Sequence, residues 1–208
     1  MKLDLHVHIK RNSSCAKQQP YEAVLETIAN GIDGLALLDH KYHATDKDLP
    51  NSSILLLRGA EVHIKNKSKK IEDHVVIITE QNIPFPLKLD SNEVQFIETF
   101  KDSYTLTFLA HPFRRSNYIA FDLNRFTPDA IEILSPNTSK DKQHLIESLG
   151  FQHNMAFLSC SDSHKPGRIG KWYIEFDDNL FSYKNPYKSL VEIVKSRQHE
   201  LHGTFKYQ

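Results

Sequence analysis

Seven short runs of apolar or β-branched residues constrain the fold of this chain more than any other feature. Each is roughly four to eight residues long, and most are followed by polar residues, proline or glycine, as β-strands usually are. The predicted strands are Lys2–His8, Gly34–Asp39, Ile54–Glu61, His74–Thr79, Thr105–Ala110, Ala130–Leu134 and Ala156–Cys160.

Helical stretches lie between and after these strands. The predicted helices are Pro20–Asn30, Ser91–Lys101, Ser139–Leu149 and Pro186–Gln198, with stops at Gly31 and Gly150. Strands that alternate with helices indicate an α/β chain with a largely parallel sheet. Because the helices are fewer than the strands, a small distorted barrel fits better than an open doubly wound sheet. The expected loops are Lys41–Ser53, Lys65–Asp73 and Phe113–Pro128.

The composition suits a soluble globular domain in a reducing compartment. Hydrophobic residues make up 39% and charged residues 25% of the 208 residues. The formal net charge is zero, so no overall basic field favours nucleic acid, although a local basic groove stays open. Two cysteines, Cys15 and Cys160, form no disulfide framework. Since neither a signal peptide nor a membrane span is evident, we expect a cytoplasmic protein without a membrane partner.

The stretch DLHVH at residues 4–8 carries the first candidate ligands. Alternate side chains of a strand share a face, so Asp4, His6 and His8 would point the same way. Two imidazoles side by side form a chelate for zinc, manganese or iron. In a chain with 12 histidines such a pair also arises by chance, so the pair alone leaves a surface role and a ligand role equally open.

The placement of other ligand-type residues favours the ligand role. In parallel α/β barrels the carboxyl ends of the strands meet at one mouth, and five predicted strands bring His, Asp or Glu there. His74 instead begins its strand, so it belongs to an antiparallel strand or approaches differently. The candidates are His6, His8, Asp39, His40, Glu61, His63, His74, His111, Asp162 and His164. The histidines outside this pattern, interpreted as surface residues, are His43, His144, His153, His199 and His202.

Taken together, these residues resemble the polymerase-and-histidinol-phosphatase (PHP) family of metal-dependent phosphoesterases. Its motifs are matched in order by DLHVH at 4–8, LLDH at 37–40, GAEVH at 59–63, His74, AHPF at 110–113 and SDSH at 161–164. The match covers nearly the whole chain. The resemblance implies a single PHP domain over residues 1–208, a distorted TIM-like (β/α)7 barrel with a metal cluster at the C-terminal mouth of its strands. Residues 165–208 would pack on that barrel.

The resemblance also implies two or three divalent ions, which could be zinc, manganese or iron. The implied ligands are His6, His8, Glu61 and Asp162 for the first ion, a bridging Glu61 with His74 and His111 for the second, and His40 and His164 for the third.

One segment departs from the family pattern. The family usually places Asp or His shortly after the second histidine, as a ligand of the third metal. Here residues 9–15 read IKRNSSC, in which the serines are poor ligands and Cys15 is a softer one. We therefore expect a weak third site, empty in some conditions, or one completed by substrate or water. His43 or His63 could compensate, although a structural role suits either better.

The resemblance implies hydrolysis of a small phosphorylated substrate, a phosphate monoester or nucleotide, by metal-activated hydroxide. Arg114 and Arg168 are the candidates for phosphate binding, with Arg115 and Arg11 nearby in the sequence. Asp39 could orient His40, and Asp162 or His164 could assist proton transfer.

Two alternatives remain open. One is a nuclease that acts on nucleic-acid ends, although zero net charge argues mildly against long polymers. The other is a metal-binding regulatory module that has lost its catalytic activity. The missing ligand of the third site supports this alternative.

Overall fold

A mixed β-sheet of ten strands forms the centre of the computed structural model, which describes residues 1–10, 13–40, 52–83 and 88–205. All seven predicted strands are present. The strands are Lys2–His8 (β1), Gly34–Asp39 (β2), Leu55–Asn66 (β3), Ile71–Ile78 (β4), Lys88–Asp90 (β5), Leu106–Ala110 (β6), Ala130–Leu134 (β7), Ala156–Ser159 (β8), Tyr173–Glu175 (β9) and Glu200–His202 (β10).

The sheet consists of two parallel blocks joined by an antiparallel strand. β1, β2 and β3 are parallel to one another, as are β6, β7 and β8, whereas β4 runs antiparallel to both β3 and β6. β4 is therefore the antiparallel strand that was one of the two alternatives for His74. The reversal places the start of β4 beside the ends of its neighbours, because His74 pairs with His63 of β3 and with Ala110 of β6.

The segment after β8 brings the two ends of the sheet together. Ser163 forms a parallel bridge with Val7 of β1. The His8 amide donates to the Ser163 carbonyl at 2.8 Å, and the Ser163 amide donates to the His6 carbonyl at 3.2 Å. β9 and β10 extend the sheet beyond β1. The result is a nearly closed barrel, which confirms the predicted fold class.

The helices differ from the predictions mainly at their ends. They are Pro20–Ala29 (α1), Gln143–Gln152 (α2) and Pro186–Lys195 (α3), with a 3₁₀ helix over Ser91–Phe100. Asp90 caps that 3₁₀ helix. Gly150 does not end α2 but lies inside it. A Cβ there would come within 2.5 Å of the Phe157 ring, so the glycine allows α2 to approach β8.

Two of the three predicted loops lie within the described residues. Phe113–Pro128 contains neither strand nor helix, as expected. Lys65–Asp73 was predicted wrongly, because β3 continues to Asn66 and β4 begins at Ile71. Charged residues interrupt the apolar pattern by which strands are predicted in this segment. Lys65 and Glu72 form an ion pair across the hairpin at 3.1 Å. Most of the third loop, residues 41–51, lies outside the described residues.

α3 belongs to the largest apolar cluster of the molecule. Its Leu190 and Val194 share this cluster with Phe108 of β6 and with buried residues of six other strands of the barrel. Among the described residues, no helix has the length and apolar character needed to cross a membrane.

Gly59 lies where the central strands pack closely against each other. A Cβ at this position in β3 would lie 2.5 Å from the Ile77 carbonyl oxygen and 2.7 Å from Leu38 Cδ2. We expect Gly59→Ala to lower the free energy of unfolding by roughly 3 kcal/mol, because neither the β4 backbone nor the Leu38 side chain can retreat freely. Urea unfolding followed by circular dichroism measures the change.

Gly31→Ala is the matched control, since Gly31 has open space around its Cβ position and a φ of +64°. This substitution should lower the free energy of unfolding by about 1–2 kcal/mol, through backbone strain alone. A smaller decrease in the free energy of unfolding for Gly59→Ala than for Gly31→Ala would contradict the packing argument.

Candidate metal centre

The eight side chains expected to bind metal all meet at one end of the barrel. β1 supplies His6 and His8, β3 supplies Glu61, and β4 supplies His74. The others follow directly on β2, β6 and β8: His40, His111, Asp162 and His164. His63 of β3 joins them. The reversed β4 explains why His74 reaches the cluster from the start of its strand.

Glu61 lies at the centre of the cluster, with a side chain only 1% exposed. Its Oε1 is 2.6 Å from His74 Nδ1 and 3.1 Å from His111 Nε2. Its Oε2 is 3.2 Å from both His8 Nε2 and His40 Nδ1. Each carboxylate oxygen therefore faces a different pair of imidazoles, which is the geometry of a bridging ligand.

Asp162 is the second buried carboxylate. Its Oδ1 lies 3.4 Å from Nε2 of both His6 and His8, and 3.2 Å from Nδ1 of His164. This oxygen has no hydrogen bond among the described residues although it is buried. Asn137 donates a hydrogen bond to the other oxygen, Oδ2. One oxygen of Asp162 is thus fixed, and the other faces ring nitrogens.

The outward-facing ring nitrogens hold several imidazoles in place. His8 Nδ1 lies 3.1 Å from the Leu38 carbonyl oxygen and 3.3 Å from the buried Ser13 hydroxyl. In the neutral ring, Nδ1–H donates to the carbonyl, and the lone pair of Nε2 then faces the cluster. His74 Nε2 contacts Glu72 Oε1 at 3.0 Å. Such outer partners orient metal-binding histidines in proteins.

Glu132 is a fully buried carboxylate beneath the cluster that sequence reasoning missed. Its Oε2 lies 3.6 Å from His6 Nδ1 and accepts a 2.8 Å hydrogen bond from the His111 amide. The signal was present in the sequence, because a glutamate interrupts the apolar strand AIEIL. Asn137 was also missed, and no local pattern distinguishes it.

Two residues of the cluster have a left-handed backbone. His111 has a φ of +29° and Asp162 a φ of +42°, which is costly for residues with a Cβ. Hydrogen bonds from the His111 amide to Glu132 and from Asn137 to Asp162 hold these conformations. Backbone strain therefore coincides with the positions where strands turn ligand-type side chains into the barrel mouth.

The cluster shifts the pKa of both carboxyl groups downward. Burial acts to raise the pKa of Glu61, but His74, His111 and His6 outweigh it and hold the pKa well below the usual range. The pKa of Asp162 is also well below its usual value, since nearby imidazoles outweigh burial. Both groups are therefore carboxylates at neutral pH, as metal ligands must be.

Five of the imidazoles have shifted pKa values, three of them raised and two lowered. Burial acts to lower the pKa values of His6, His8 and His74, but neighbouring carboxylates raise them above the usual value, His6 most strongly. Burial lowers the pKa of His40 to about 3 and that of His63 to about 4, with neighbouring imidazoles adding to the effect. His40 and His63 are therefore neutral over the physiological range.

The spacing of the donor atoms fits a divalent ion. Ligands of a tetrahedral ion with bonds of about 2.1 Å lie roughly 3.4 Å apart. The Nε2 atoms of His6 and His8 are 3.0 Å apart, and Asp162 Oδ1 lies 3.4 Å from each. Glu61 oxygens lie 3.2 Å from His8 Nε2 and 3.8 Å from His6 Nε2. These separations of 3.0 to 3.8 Å lie close to the expected spacing, so the four side chains could hold one ion.

The other donors form further groups around Glu61. Its carboxylate lies within ligand spacing of His74 and His111, and also of His40 and His63. His8, His40 and His164 form another such group. The residues present therefore suit more than one cation.

The remaining candidates lie at or beyond the edge of the cluster. Arg114 is 41% exposed, and its guanidinium lies 4.0 Å from Asp162 Oδ2. Arg114 and Arg115 line a small cleft beside His74 and His111. Arg168 is half-buried on a turn whose flanking amides, those of Gly167 and Ile169, donate to Glu26 of α1. The Asp39 side chain and Arg11 lie outside the described residues.

The histidines interpreted as surface residues stay out of the described donor groups. His144 is exposed on α2, but His153, His199 and His202 are half-buried. His202 lies on β10, and its ring stacks on that of Tyr173 at 4.6 Å. His43 lies outside the described residues.

No family model and no curated protein matches the chain. Solved structures do. PsfC from Pseudomonas syringae aligns with a TM-score of 0.69 at 15% identity, covering 98% of this chain and 91% of that one. A two-domain protein from Bacteroides vulgatus, which contains a predicted PHP-like metal-dependent phosphoesterase, aligns with a TM-score of 0.66 at 14% identity, over 98% of this chain and 65% of that one. The chain has a PHP-like fold.

A third match carries a different name. An amidohydrolase from Chromobacterium violaceum, solved with sulfate bound and without metal, aligns with a TM-score of 0.55 at 15% identity. The alignment covers 79% of this chain and 88% of that one. The PHP-like fold therefore agrees with the resemblance carried by the sequence motifs, while its neighbours differ in the reactions for which they are named.

Metal binding should release protons from the cluster. Neighbouring carboxylates raise the pKa values of His6, His8 and His74, so these rings hold protons more tightly than free imidazoles, and a cation competes with those protons. We therefore expect zinc affinity to increase as pH rises from 6 to 8. Titration calorimetry in two buffers of different ionisation enthalpy counts the released protons.

His144→Ala serves as the control, because it removes an exposed imidazole outside the cluster. It should leave the proton release unchanged. Zinc affinity that does not change with pH, together with no proton release, would show that the imidazoles are already neutral.

Proposed function

We propose that this protein is a metal-dependent phosphoesterase that releases phosphate from a small phosphorylated substrate. The observation that supports this most is the buried Glu61 carboxylate, which four imidazoles contact through both of its oxygens. Divalent cations bound there would supply Lewis-acid activation of water and neutralise phosphoryl charge. Zinc, manganese and iron all suit such mixed donors.

The chain's own residues divide the remaining work. Glu61 would hold two cations together, with His6, His8 and Asp162 on one side and His74 and His111 on the other. Asp162 is buried and has a depressed pKa, so it acts as a ligand and remains ionised. This leaves His164, with 30% of its side chain exposed, as the group able to exchange a proton with a leaving alcohol.

Arg114 would bind the substrate phosphate. Its guanidinium lies at the cluster edge, 4.0 Å from Asp162, and is exposed enough to reach a ligand. The planar fork of arginine matches two phosphate oxygens. Arg168 and the orienting role of Asp39 stay in the proposal on the sequence resemblance alone. Two free cysteines, Cys15 and Cys160, support the cytoplasmic location that we propose.

The direct test is phosphate release with defined metals. Protein loaded with zinc, manganese or iron(II) should hydrolyse an aryl phosphate or a member of a nucleotide panel, and a chelator should stop the reaction. Preferential digestion of labelled oligonucleotides would favour the nuclease alternative. Metal binding without turnover of any phosphate ester would contradict the proposal, and turnover of amide substrates alone would favour an amidohydrolase.

Removing a ligand of the first ion should abolish activity. We expect His6→Ala and Asp162→Ala each to lower kcat/KM by about 1,000-fold or more, because the ion contributes several kcal/mol to transition-state stabilisation. Metal analysis of the same samples should show fewer bound ions. Rates near wild type for either variant, against His144→Ala as the reference, would rule out this first metal site.

Arg114→Ala should weaken substrate binding while metal content stays at the wild-type level. Losing a charge-assisted contact to phosphate costs about 1.5–3 kcal/mol, which corresponds to about a 10- to 100-fold rise in KM. Arg125→Ala is the control, because Arg125 is exposed and bonds to Asn92 and Gln95. An unchanged KM for Arg114→Ala would remove this arginine from the substrate site.

A further inference from the structure

His63, for which the sequence favoured a structural role, faces the metal cluster. It lies two residues after Glu61 on β3, so the two side chains share a face of the strand. His63 Nε2 is 3.1 Å from His40 Nδ1, and the His63 ring stacks on His74 at 4.0 Å. His63 thus borders the same group of donors as Glu61.

The other ring nitrogen of His63 is held from behind. Nδ1 lies 3.3 Å from Glu72 Oε1, and Lys65 pairs with the second oxygen of Glu72 at 3.1 Å. A proton on Nδ1 facing that carboxylate leaves the lone pair of Nε2 facing His40. A carboxylate behind an imidazole is the usual support of a metal-binding histidine.

We propose that His40, His63 and Glu61 form a divalent-cation site of their own beside the Glu61-bridged pair. His40 Nδ1 lies 3.2 Å from Glu61 Oε2 and 3.1 Å from His63 Nε2. These separations approach the roughly 3.4 Å expected between ligands of a tetrahedral ion. The three side chains would supply two neutral nitrogens and one carboxylate oxygen.

This site has an open side. The side chains of His40 and His63 are 17% and 22% exposed, whereas Glu61 is buried. A cation held by three protein ligands with one face toward solvent keeps a position for water or an anionic oxygen. The proposal rests on the proposed function only in that the cluster binds cations, and its test needs no turnover.

A rival arrangement shares His40. His8, His40 and His164 also lie within ligand spacing, so a cation at His40 could be held from the β8 side instead of the β3 side. The two arrangements differ in whether His63 or His164 completes the site.

Zinc stoichiometry separates them. After dialysis of the full-length protein against buffered free zinc, mass spectrometry of the metal should show one ion fewer per chain for His40→Ala and for His63→Ala than for wild type. His164→Ala should keep the wild-type count, and so should the control His144→Ala. A loss of one ion in both His63→Ala and His164→Ala would still support His63 as a ligand.

An unchanged zinc count and affinity in His63→Ala would overturn the proposal. If that variant fails to fold, as its thermal transition without metal would show, His63→Gln replaces it, because glutamine is of similar size and has no ring nitrogen. His63→Asp should restore the ion because it supplies a carboxylate ligand. Absence of phosphate release from fully loaded wild-type protein would contradict the proposed function and leave this site standing.

Discussion

The buried carboxylate of Glu61 is the interaction on which the barrel mouth depends. An ionised carboxylate removed from water is strongly destabilising unless it is paired, and here imidazoles from β1, β4 and the turns after β2 and β6 surround it. Because each imidazole comes from a different part of the sheet, the contacts fix the relative positions of the strand ends. The same contacts keep the carboxylate ionised and ready to accept cations.

Placing His74 in that set requires the reversed direction of β4. Only residues 67–70 separate β3 from β4, too few for a crossover between parallel strands, so the two strands must form a hairpin. A short connection therefore decides which end of the sheet carries this ligand.

The sequence predicted the fold class and the convergence of eight ligand-type residues at one end of the barrel, because apolar strand bodies followed by His, Asp or Glu leave a local pattern. What it could not predict depends on contacts between distant segments. Glu132 touches His6 and His111, and Asn137 touches Asp162, only after the barrel closes. Gly150 was predicted to end a helix. Its role in the structure is to allow a close approach to Phe157, and that tertiary contact leaves no local pattern in the sequence. A glycine can end a helix or permit a close contact within one, and the local sequence does not distinguish these two roles.

Ser13 shows how the chain uses the segment that departs from the family pattern. Its buried hydroxyl lies 3.3 Å from His8 Nδ1, so the segment after β1 contacts the back of an existing ligand instead of adding one. The β3–β4 hairpin carries four ligand-type side chains, since Glu61, His63, Glu72 and His74 all lie on it. These four side chains touch one another across paired strands. Pairing of β3 with β4 therefore keeps these donor atoms within reach of one another.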